Sequence, residues 1–80
     1  MMKILGLTIS TRDVWEIDNW ILSRDFELKE LRQKISTMYS EGCLGHSINY
    51  QIAERFIQRN KDANLIFFNK KSRKWERKDF

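Results

Sequence analysis

The segment Ile48 to Arg59, INYQIAERFIQR, is the stretch that most constrains the fold, because only a helix gathers its apolar residues on one side. Ile48, Ile52, Ala53, Phe56 and Ile57 recur at helical spacing. At about 100° per residue they occupy one half of the cylinder, leaving Ser47, Tyr50, Gln51, Glu54, Arg55 and Gln58 on the other. After NKDAN the period changes. Leu65-Ile66-Phe67-Phe68, Asn69-Lys70-Lys71-Ser72 and Arg73-Lys74-Trp75-Glu76-Arg77 read as strand, turn and strand.

Charge is concentrated on that hairpin. Residues 1–60 carry eight Lys/Arg against eight Asp/Glu, whereas residues 61–80 carry seven against three, so the whole excess of +4 lies in the last quarter of the chain. A localised positive field attracts phosphate backbones, although it also serves solubility.

A chain of 80 residues makes one domain, residues 1–80, with a thin core. Three Trp, five Phe and two Tyr supply enough apolar area to argue against disorder. One cysteine, Cys43, excludes an internal disulfide and suits a reducing compartment. The apolar run Met1 to Ile9 is interrupted by Lys3, Gly6 and Thr8, which is too short and polar for a signal core or a membrane span. The expectation is a soluble cytoplasmic protein with no membrane partner.

In chain order, Met1 to Ile9 is expected as a strand, weakened by Gly6, and as the element that would pair with a copy in a homodimer. Ser10-Thr11-Arg12-Asp13 has capping-box spacing before a helix from about Arg12 to Arg24, with Val14, Ile17 and Ile21 as its buried stripe. Trp15 and Trp20 widen that stripe but cannot both fit one narrow face, so one of them is a candidate partner anchor. Leu28, Leu31, Ile35 and Met38 form the clean face of a second helix, with Asp25 or Glu27 as its cap. Tyr39 to Ser47 reads as a loop. Ser47 or Asn49 is expected to cap the third helix, and Asn60 to Asn64 to end it, with Asn60 as the left-handed terminator.

Taken together, the phrases LKELRQKI and IAERFIQRNKDANLIFFNKKSRKWER resemble small winged-helix transcription regulators, over about sixty of the 80 residues and at the level of pattern. The resemblance implies an α+β, winged-helix-like domain: three helices with an N-terminal strand and a C-terminal β-hairpin. It implies a third helix in the DNA major groove, facing it with Ser47, Tyr50, Gln51, Glu54, Arg55 and Gln58. Lys70, Lys71, Arg73, Lys74 and Arg77 would form the wing on the phosphate backbone. The loop before the third helix is longer than the family's tight turn. Glu54 would repel phosphate there unless it accepts from a cytosine amino group.

Other chemistry is poorly supported. Cys43-Leu44-Gly45-His46 has C-x-x-H spacing, but no second Cys or His completes a zinc site and no third group orients a Cys–His nucleophile. No Gly-rich phosphate loop or serine elbow occurs. The expectation is a DNA-binding protein without cofactor or enzyme activity. The alternative is a protein–protein interaction module, a phage-type inhibitor or adaptor, whose basic tail meets an acidic surface. Trp75 could stack on a base or anchor the wing, but the expectation in so thin a domain is that it closes the core.

Overall fold

The computed structural model describes residues 2–4, 6–39 and 46–78. Two strands, β1 (Met2–Ile4) and β2 (Leu7–Ile9), are followed by α1 (Thr11–Leu22), α2 (Leu28–Met38), α3 (His46–Asp62), β3 (Ile66–Asn69) and β4 (Lys74–Arg77). The chain is a small α+β domain with three helices, an N-terminal strand pair and a C-terminal antiparallel hairpin, as the sequence leads one to expect.

The N-terminal stretch differs from the single strand expected. It folds back on itself at Gly6, whose φ of 81° is open to glycine at little cost. Met2 pairs with Ile9, Lys3 with Thr8, and Ile4 with Leu7. Opposed residues share a face, so Ile4 and Ile9 go into the core while Lys3 and Thr8 stay exposed.

Ser10 starts α1, its Oγ accepting from the Asp13 amide at 3.2 Å. Ile17 and Ile21 are fully buried along this helix, and Trp15 is 67% exposed. Trp20 packs on Phe26 with centroids 5.3 Å apart, and the Arg24 guanidinium lies 4.7 Å from its ring. Glu27, not Asp25, stands at the α2 N-cap, and its amide donates to the Glu30 carboxylate at 3.0 Å. Leu31 and Ile35 bury the inner face of α2.

The third helix is longer than the sequence pattern implies, and three assignments there need correcting. Asn49 is not a cap. It lies within α3, 6% exposed, and its Nδ2 donates to the Arg32 carbonyl (3.1 Å) and to Ser36 Oγ (2.8 Å) of α2. The helix ends at Asp62, within the stretch expected, but Asn60 is not its left-handed terminator. Asn60 is 3% exposed, and its Nδ2 donates to Asp18 Oδ1 of α1 at 3.1 Å and to the Phe56 carbonyl at 2.9 Å. Asp18 Oδ2 also takes Arg59 Nε at 3.2 Å. Ser47 is likewise inside the helix, and its side chain lies outside what is described.

The left-handed residue is Asn64, with φ 61°. The Leu65 amide bonds back to the Asn60 carbonyl (3.0 Å) and the Asn64 amide to that of Lys61 (3.0 Å). This is a Schellman ending in which asparagine replaces the usual glycine.

The last hairpin is tied to the helices by a third strand-like contact. Phe26 and Trp75 form an antiparallel bridge, with amide-to-carbonyl distances of 3.0 and 2.8 Å in the two directions. β4 therefore lies between β3 and the α1–α2 connection. Phe26, Ile66, Phe56 and the isoleucines of all three helices make one core. Among the described residues, no helix is long and apolar enough to cross a membrane.

Candidate nucleic-acid interface

The outward half of α3 is set by the burial of its other half. With Ile52, Ala53, Phe56 and Ile57 packed inward, Tyr50, Gln51, Glu54, Arg55 and Gln58 are all exposed. Gln51, Glu54, Arg55 and Gln58 line one open groove of about 650 Å³, together with Lys61 of the same helix. Its other wall comes from β1 (Lys3, Ile4), the start of α2 (Leu28) and β4 (Trp75). Among the described residues, three cations, Lys3, Arg55 and Lys61, thus border the groove against one carboxylate, Glu54.

Tyr50 stands beside this groove. The Arg32 guanidinium lies 5.5 Å from its ring centre. A hydrogen bond to Glu54 and the charge of that carboxylate raise the Tyr50 pKa above its ordinary value, with Arg32 pulling the other way. Gln58 Nε2 donates to Asp62 Oδ1 at 2.7 Å, which ties up one of the amides expected to face DNA.

The hairpin turn is built around Asn69 and Glu76. The Asn69 carbonyl accepts the Arg73 amide at 2.8 Å, and its Oδ1 accepts the Lys71 amide at 2.9 Å. Glu76 Oε2 accepts both Asn69 Nδ2 (3.0 Å) and Ser72 Oγ (2.8 Å). Arg73 closes the turn in the left-handed region at φ 59°. Lys70, Lys71 and Arg73 consequently stand exposed at the tip, while Lys74 is half-buried.

The expected site residues are therefore only partly brought together. Gln51, Arg55 and Gln58 share the groove with Trp75, but Lys70, Lys71, Arg73 and Lys74 lie along the hairpin and do not line it. Arg77 takes a different direction. Its Nη1 donates to the Leu22 carbonyl at 3.2 Å, at the C-terminal end of α1, beside a second cleft with Asp25 and Glu76. Trp75 serves two ends, with part of its surface on the core and its ring edge-on to Phe68 at 5.4 Å.

Sequence reasoning missed Lys3 and Lys61. Lys61 was legible in principle, since it follows Gln58 by three residues on the same helical face once α3 is carried to Asp62. Lys3 is positioned only by the N-terminal hairpin and carried no such signal. Of the C-x-x-H pair, Cys43 lies outside the described residues. Among those described, no three His, Cys, Asp or Glu side chains cluster to hold a metal ion. No protein-family model, curated protein or solved structure matches the chain.

Proposed function

We propose that this domain binds duplex DNA in the manner of a winged-helix protein, as a small transcriptional regulator or accessory factor. The outer face of α3 supplies groove contacts, and the basic hairpin supplies affinity for phosphate. The observation that carries the reading is the shared groove: Gln51, Glu54 and Arg55 of α3 face the same space as Trp75 of the hairpin, under an excess of positive charge. The order of elements supports it as well, with β4 paired between β3 and the connection from α1 to α2.

Counterion release gives the test. Four to six phosphate contacts predict a log–log slope of affinity against salt of about −4 to −5. Fluorescence anisotropy on a random duplex across a salt series measures it, and no binding at low salt removes the proposal. Arg55→Ala weakens binding with little change in melting temperature, because Arg55 is exposed. A parallel loss of stability would make Arg55 structural instead.

Trp15 favours a second reading. A tryptophan 67% exposed on α1 is suited to anchor a protein partner, with the basic hairpin meeting an acidic surface. Capture of one defined protein at salt high enough to screen surface charge, by wild type but not by Trp15→Ala, would favour this reading over DNA.

A further inference from the structure

We infer that the N-terminal hairpin is a second DNA-contacting arm, in which Lys3 reaches a phosphate of the strand that runs along α3. The inference rests on the DNA-binding reading above and extends the interface to an element that neither α3 nor the C-terminal hairpin includes.

The geometry begins with register. Lys3 stands opposite Thr8 on the outer face of a two-stranded ribbon whose other face is pinned by buried Ile4 and Ile9. The ribbon is short, three residues per strand, and reverses at Gly6, so its placement depends on the burial of Ile4 and Ile9 beneath it. Lys3 is therefore held at the rim of the groove whose opposite side is α3. There it joins Arg55 and Lys61, and the three cations come from two separate elements across one trough.

Among the described residues, Glu54 is the one acid on this rim, and its carboxylate interacts with the Tyr50 hydroxyl. A trough rimmed by three positive side chains and one engaged carboxylate is complementary to a polyanion. The backbone of a duplex supplies such charge at regular spacing along a strand. The half-buried Leu28 and Trp75 on this wall offer contact to sugar rather than to charge.

The experiment is an anisotropy salt series on a labelled random duplex with the full chain, comparing wild type, Lys3→Ala, Arg12→Ala and the double variant Lys70→Ala/Lys71→Ala. Lys3 and Arg12 are both exposed, so neither substitution should alter the melting temperature. Arg12 does not line the groove and reports the general field of the protein. Lys3→Ala is expected to lower the magnitude of the log–log slope by about 0.9, one phosphate contact, for every sequence alike, while Arg12→Ala leaves it unchanged. A wild-type slope for Lys3→Ala, with a reduced one for the Lys70/Lys71 variant, would overturn the arm but keep the DNA reading. Equal losses for Lys3→Ala and Arg12→Ala would also overturn it, because only the summed field would then matter. Failure of wild type to bind removes both ideas.

Discussion

Tyr39 closes the C-terminal end of α2, and its hydroxyl is buried with no hydrogen-bond partner among the described residues. Burial, followed by the nearby charge of Asp13, raises its pKa. The Asp13 carboxylate acts on it by charge and, more weakly, as an acceptor in geometry that falls short of a full hydrogen bond. An unsatisfied buried hydroxyl costs stability, so Tyr39→Phe should raise the unfolding free energy by up to about 1 kcal/mol in urea denaturation at neutral pH. The pH dependence has a definite sign. With the folded pKa above the unfolded value of about 10, the native state holds the proton longer. That contribution is complete below about pH 10 and is lost as pH rises through the folded value. The advantage of Tyr39→Phe over wild type should therefore widen above pH 10, and a constant gap would refute the assignment.

At the level of elements, α3 shows what patterning can and cannot convey. The stripes of α1 and α2 are legible because Ile17, Ile21, Leu31 and Ile35 are unambiguous, and all four are fully buried. One row of the inward face of α3 runs through Asn49, Ala53, Phe56 and Asn60, beside buried Ile52 and Ile57, so two of that row's four positions are polar. Read as breakers, the asparagines suggest helix ends. In the fold they are side-chain staples, one to α2 and one to α1. Their spacing, four, three and four residues, was the available signal, but composition masked it. The strand pair at residues 2–9 was hidden for another reason, since three-residue strands are too short to show a period. The basic hairpin was plain from its turn residues, but not the direction of Arg77, which depends on a carbonyl 55 residues away. One prediction belongs here. Asn64→Ala should cost about 1 kcal/mol, because alanine tolerates a φ of 61° less well than asparagine, whereas Asn64→Gly should be nearly neutral. Equal stability of the two variants in denaturant would refute this account of the α3 ending.

Over the whole molecule, Phe26 joins the helical core to the hairpin, alongside buried Ile66 and the Arg77–Leu22 hydrogen bond. Phe26 is fully buried, stacks near Trp20, and exchanges both backbone hydrogen bonds with Trp75. Truncating such a side chain costs about 3–5 kcal/mol. At roughly 0.05–0.15 kcal/mol per residue, an 80-residue domain has only about 4–12 kcal/mol to lose. Phe26→Ala should leave the chain marginal or unfolded at 37 °C, with near-ultraviolet circular dichroism from the tryptophans flattened. Retention of a cooperative transition close to that of wild type would mean that the seam is not central. The turn held by Glu76 bears on how this molecule meets a charged surface. Lys70, Lys71 and Arg73 ride on a bend already fastened by two hydroxyl and amide clasps. Little backbone disorder remains to be surrendered on contact, so loosening the clasp with Glu76→Ala would remove a negative charge yet make association entropically less favourable.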